Sequence, residues 1–294
     1  MAAKRKKQRR RIWTDVRQWL SGADDGARRR RVRWTLAVLA GLALLGGAGY
    51  GLWWLEERVL DTPESLAPPK IRLVDVPDNL RAVVTASLDP FVDAVWSSPQ
   101  LCEDIAAALE FNPWVSKVER VQRYANRGVD VHCAYRLPFA MVQYGEAFYL
   151  VDEAGVHLPG RYSSNPEFMI VQGVQTPPPA DGEAWDAPDL LAGLTVVKLI
   201  DDEPFARQIT AVQVHNFHGR RDAREPHIVL ATNRAGGQIA WGSAVGEEIE
   251  ENTAEQKLAL LRANYRRFGH VDAGRPRIDV SVHPDRITVR ADGE

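Results

Sequence analysis

The sequence predicts a membrane-anchored α+β protein: one transmembrane helix, then a small β-α-α-β-β domain, then a mostly antiparallel β-domain carrying a few helices. Three observations carry that expectation. Residues 35–55 form the one long uncharged apolar run, Pro63, Pro68 and Pro69 stiffen the stretch behind it, and short period-two alternations recur beyond residue 70.

The apolar run reaches about 30 Å as a helix, the thickness of a bilayer's hydrocarbon core. A buried core helix of that length would carry a polar stripe, and none is present. A cleavable signal would be shorter and end at small residues, whereas this run ends Trp53-Trp54-Leu55-Glu56-Glu57. The two tryptophans suit an interfacial aromatic belt. A Gly47-x-x-x-Gly51 pair sits inside the run, a weak pairing signal in a segment so rich in Gly and Ala.

Charge sets the orientation. Residues 1–33 hold thirteen Lys/Arg against Asp15, Asp24 and Asp25, which leaves 24 basic and 36 acidic residues in the remainder. Basic residues beside a span stay in the cytoplasm, so residues 1–34 read as a cytoplasmic tail and residues 56–294 as exported. The run Lys4–Arg11 admits a nucleic-acid arm. Beside a span, with Ile12, Trp13, Val16, Trp19 and Leu20 at helical spacing, contact with anionic lipid is the stronger reading. No nucleic-acid partner is expected.

Residues 56–69 form the linker. The exported part opens with a strand at Ile71–Val76. Helical stretches follow at Leu80–Leu88, interrupted by Asp89-Pro90, and at Pro99–Leu109, where Ser98 is available as N-cap and Pro99 fills the first position. Trp114–Arg123 and Gly128–Arg136 alternate at period two about a Tyr124–Gly128 turn, which completes a domain over residues 70–137.

In residues 138–294, Ala140–Tyr144 and Ala147–Val151 form a hairpin about Gly145, and Asp152–Gly155 turns the chain before Val156-His157-Leu158. Asp186 or Asp189 can cap a helix over Leu190–Ile200. Strands are expected at Ile209–Phe217, His227–Thr232 and Gln238–Gly242. Thr253-Ala254-Glu255-Gln256 is a capping box, with Leu258, Leu261, Tyr265 and Phe268 as the apolar stripe behind it and Gly269 as the stop. Ile278–Val282 and Ile287–Arg290 close the chain as strands.

Chemistry is not signalled. His215 and His218 at i, i+3 point apart on a strand and lack a third ligand, and Asp201-Asp202-Glu203 reads as a solvated turn. There is no nucleophile elbow, zinc-protease helix, phosphate loop or dinucleotide fingerprint. No catalytic, cofactor-binding or metal-binding residues are expected, and no small-molecule substrate. A membrane-tethered hydrolase would need a cleft of convergent polar side chains. The two cysteines, Cys102 and Cys133, exclude a disulfide scaffold; a single bridge and two unpaired core thiols stay equally open.

The stretch Phe111–Tyr124 with its Pro113-Trp114-Val115 segment, the strand ending Arg136-Leu137-Pro138-Phe139-Ala140, and Val151-Asp152-Glu153-Ala154-Gly155 resemble the core of the FtsQ/DivIB cell-division family. Gly236–Gly242 and Arg277-Ile278-Asp279-Val280 are similar to the C-terminal part of that family. Departures are Tyr135, where the family has Glu, a loose Phe168–Gly173 segment, and a long charged connection over His215–Pro226. The resemblance implies a POTRA-like domain over residues 70–137 and an FtsQ-type β-domain over 138–294. It also implies a non-enzymatic, single-pass type II protein of the bacterial inner membrane, with periplasmic domains enriched at the division site. Implied partners are an FtsB/FtsL-like pair, an FtsK-like protein and the septal peptidoglycan synthase. The final strand, with Ile287, Thr288, Val289 and Arg290, and neighbouring Tyr265 would accept a partner strand. The plainer alternative is a hairpin arm blunted by Arg286 and Arg290. A bitopic linker of a secretion or pilus-assembly machine would share the anchor and the small modules.

Overall fold

The computed structural model describes residues 25–60 and 67–289, with side chains over 32–55 and 67–289. The basic run Lys4–Arg11, the stripe Ile12–Leu20, residues 61–66 of the expected linker and Arg290 lie outside the described residues, and residues 56–60, expected as linker, continue the N-terminal helix. Among the described residues the architecture is mixed α+β, with one apolar N-terminal helix and two sheets. Helix α1 covers Asp25–Leu60, and its stretch Val32–Leu55, 24 residues with mean hydropathy 1.7, has no buried residue. At about 1.5 Å per residue that stretch is long enough to cross a bilayer. The helix forms one compact unit with Ala67 and Val95–Ser97, and residues 68–94 and 98–289 form the other.

The second unit opens with β1 (Lys70–Val74), α2 (Asp78–Ala86), α3 (Leu101–Glu110), β2 (Val115–Arg123) and β3 (Gly128–Tyr135). Their sheet has the order β1-β3-β2, with β1 parallel to β3 and β2 antiparallel to it. Leu80, Val84, Leu101, Ile105 and Leu109 bury one face of the two helices, and Val129 and Val131 answer from β3. Asp89-Pro90 makes a short 3-10 turn, since proline supplies no N–H to continue α2. Ser98 does not cap α3. The helix starts two residues later than the Ser-Pro signal suggests, Gln100 occupies the N-cap position, and it is the Ser98 carbonyl that takes the Leu101 N–H at 3.3 Å.

The larger sheet comprises β4 (Ala140–Tyr144), β5 (Ala147–Val151), β6 (Ile170–Gln172), β7 (Ile209–Gln213), β8 (Ile228–Thr232), β9 (Gln238–Gly242), β10 (Arg277–Asp279) and β11 (Thr288–Val289). Its order is β11-β10-β9-β8-β7-β6-β4-β5. The expected mostly antiparallel arrangement holds for four of the seven pairings, while β4–β6, β6–β7 and β9–β10 are parallel. Parallel neighbours require long crossovers, and α4 (Pro188–Asp201) and α5 (Ala254–Phe268) supply two of them. Both helices press buried residues, among them Leu190, Leu194, Val197, Leu258 and Leu261, onto the sheet.

Further local corrections follow from side-chain bonding. Neither Asp186 nor Asp189 caps α4, whose N-cap is Ala187. Asp189 is buried, accepts from the Gln175 and Leu190 N–H groups, and pairs with Arg220 at 2.7 Å. The strand expected over Ile209–Phe217 stops at Gln213, and Phe217–Gly219 turns as a 3-10 helix with His218 at φ 55. Phe268 ends the α5 stripe exposed rather than buried. The capping box of α5 forms as the spacing predicts, and Gly269 takes the left-handed C-cap at φ 70.

Candidate functional site

The two edges of the eight-stranded sheet are built differently. At one edge, β5 is sealed by the chain that follows it. Asp152 Oδ1 accepts the Ala154 and Val156 N–H groups, which turns the backbone sharply. The returning segment then pairs with the outer side of β5: Leu158 N–H reaches the Leu150 carbonyl at 2.9 Å, and Tyr162 and Phe148 exchange N–H···O bonds. Trp185, 1% exposed, locks this cover through T-shaped contacts with Tyr149 and His157 and a bond from Nε1 to the Thr176 carbonyl. Asp152 Oδ2 also takes Arg136 Nη1 at 2.8 Å. That pair joins two of the sequence motifs and ties the end of the first sheet to the second.

Among the described residues the other edge is open. Strand β11 pairs with β10 alone, through Val289↔Ile278 and Thr288↔Asp279, and no described strand lies on its outer side. Thr288 and Val289 are exposed, Val289 to 43%. Two devices hold the connection from β10 in place. Asp279 Oδ1 accepts both the Ser281 N–H and its hydroxyl. Asn252, 3% exposed, bonds through its backbone N–H to the Ser281 carbonyl and through Nδ2 to the carbonyls of Val280 and His283. An asparagine amide fixed by two carbonyls has both of its donors committed, so the turn ahead of β11 is set by buried bonding.

The residues expected at this site are partly gathered. Thr288 and Val289 form β11, and Ile287 lies half-buried just before it, packed on the core. Tyr265 is also half-buried on that core, but its ring partner is Phe205 at 6.2 Å, ahead of β7 and four strands from β11 in the sheet order. Arg290 lies outside the described residues.

Behind the open edge sits Lys257, fully buried, its Nζ 3.1 Å from Glu251 Oε2 and 5.3 Å from the Trp241 ring centroid. Glu251 also accepts from the Ser243 N–H and hydroxyl, so α5 and the loop ahead of it are fastened as one block. Sequence reasoning missed Asn252 and Lys257. Lys257 had a signal: it stands four residues before Leu261, on the buried stripe. Asn252 had none.

Elsewhere several titratable side chains are held in local ion pairs. Among the described residues, no three His, Cys, Asp or Glu side chains converge as a metal ion requires. Glu203 is not a solvated turn residue: its side chain is 8% exposed and bonds Arg262 in bidentate fashion. His218 pairs with Glu247 at 2.9 Å. Cys102 on α3 and Cys133 on β3 are unpaired, and burial pushes the Cys133 thiol up to about 11. Comparison with protein-family models gives no match, and comparison with curated proteins gives none either.

Proposed function

We propose that this chain is a non-enzymatic, single-span scaffold of the bacterial division septum, in which β11 receives a strand from a partner protein. In this reading the N-terminal tail is cytoplasmic and the two sheets lie beyond the membrane. The first, POTRA-like sheet takes an upstream FtsK-like protein, and the open edge takes an FtsB/FtsL-like pair that leads to the septal peptidoglycan synthase. One observation carries it: the sheet seals β5 with its own following chain, while β11, anchored by Asn252 and Asp279, has no described strand on its outer side. Unpaired backbone groups on a firmly mounted strand are what strand addition needs. The pairing of Arg136 with Asp152 lends support, since it brings together the two family-like motifs.

The test has two arms. A fluorescent fusion of the full chain should concentrate at midcell, and depletion should give filaments; an even distribution over the envelope would count against the division role. Val289→Pro removes one edge N–H and should abolish capture of the FtsB-like partner while the chain stays folded. Undiminished capture would remove β11 from the mechanism.

A further inference from the structure

The register of the first sheet sorts its side chains by face. Val129 and Val131 are fully buried on the side of α2 and α3, so Gly128, Asp130, His132 and Ala134 face the other way. Their partners in register share that outer face: Lys70, Arg72 and Val74 from β1, and Lys117, Arg120 and Gln122 from β2. Two contacts agree with the sorting. Arg72 clasps Asp130 with Nε at 3.0 Å and Nη2 at 2.6 Å, and Arg120 Nη2 donates to His132 Nε2 at 3.2 Å.

This face is basic and open. Lys70, Arg72, Lys117, Arg120 and Gln122 are all exposed. Among the described residues of the face the one carboxylate is Asp130, which is 9% exposed and held below the usual carboxylate range by its bonds from Arg72. Glu119, the acidic residue of β2, falls at the register shift between Val118 and Arg120 and is skipped by the β2–β3 ladder. The chain beyond residue 33 carries 24 basic and 36 acidic residues, so the surplus here runs against the whole.

The cations also have a pattern. Lys70 and Arg72 stand opposite Gly128 and Asp130 at one end of β3, and Arg120 and Lys117 opposite His132 and Ala134 at the other. With β1 and β2 about 10 Å apart and about 3.3 Å per residue along β3, the two pairs lie about 16 Å apart on a diagonal. A hollow of about 700 Å³ opens at the Lys70 end, with Tyr124 and Asn126 in its wall. Because β3 is paired on both sides, the face offers a ligand side chains and no backbone groups. A strand laid across it would gain no main-chain bonds, whereas a helix satisfies its own. Carboxylates at i, i+4, i+11 and i+15 share one side of a helix, and at about 1.5 Å per residue the two pairs are about 16 Å apart.

We propose that the outer face of the first sheet seats an acidic helix of a partner protein, laid diagonally across β3 with paired carboxylates on Lys70 and Arg72 and on Arg120 and Lys117. The inference stands on the register of the first sheet, and neither the division role nor the use of β11 is needed for it.

The experiment uses the full chain in phosphatidylcholine nanodiscs and a fluorescent, alanine-based helical peptide with glutamates at those four positions. A second peptide carries four glutamates spread around the helix. By fluorescence anisotropy at low salt, the first peptide should bind about tenfold more tightly than the second. Lys117→Gln with Arg120→Gln should weaken its binding about tenfold, with circular dichroism unchanged. Arg207→Gln with Arg275→Gln, outside the first sheet, should leave binding as it was. Lys70→Gln gives a second reading should the β2 pair disturb the fold: about threefold weakening is expected, and none would count against the proposal. Equal binding of the two peptides, equal loss from the two double variants, or no binding at all would overturn it. Displacement of the peptide by single-stranded DNA at equal charge would overturn it too, by assigning the face to polyanions in general.

Discussion

The β5 edge and the β11 edge belong to one sheet and differ in what the chain does next. After β5 the backbone turns on Asp152 and comes back to bond the strand's outer side; before β11 it turns on Asp279 and Asn252, and no described strand lies beyond β11. At the first edge side chains close the strand, and at the second they fix the turn that leads into it.

The comparison can be broken by substitution, beginning with the sealed edge. Trp185→Ala should cost about 3–5 kcal/mol, read as a lower unfolding midpoint of the second unit, because it empties a large buried volume under the cover. Asp152→Ala should cost about 3 kcal/mol by stranding Arg136 and two N–H groups. At the open edge, Asn252→Ala should cost about 2 kcal/mol and loosen β11, seen as faster amide exchange over residues 287–289. A smaller effect is pH-linked. Burial, with Arg221 and Arg220 nearby, holds the His215 imidazole below its ordinary value. The unfolded chain therefore binds the proton more tightly, so stability is complete above about pH 6.5 and falls as pH drops through that value. His215→Gln should flatten the fall in melting temperature between neutral and mildly acid buffer. Smallest of all, Val289→Pro should shift stability by no more than about 0.5 kcal/mol, since Val289 is exposed and peripheral. A loss comparable to that of Trp185→Ala would mean that β11 is structural.

Much of this was legible in the residues, and the misses have physical reasons. The hairpin about Gly145 and the capping box at Thr253 are local signals, set by a φ of 61 and by two reciprocal bonds, and both form as read. Strand direction was not legible, because period-two alternation is the same in parallel and antiparallel neighbours; only the use of α4 and α5 as crossovers decides it. Ser98 and Asp189 show the limit of capping rules, since a carboxylate drawn into a buried ion pair with Arg220 is no longer free to cap. At the site, the alternation of Ile287–Arg290 marked a last strand, and β11 forms over Thr288–Val289 within it. Its mount was not legible: Asn252 acts on carbonyls 28 to 31 residues away, a distance that no sequence window spans.

The Arg136–Asp152 pair has a bearing on how the chain can be divided. A cut at the seam between residues 137 and 138 would sever two side chains that are 20% and 10% exposed and leave each charge without its counterpart. The two sheets are consequently poor candidates for separate expression or for exchange with foreign modules, unless the arginine and the aspartate are inherited together.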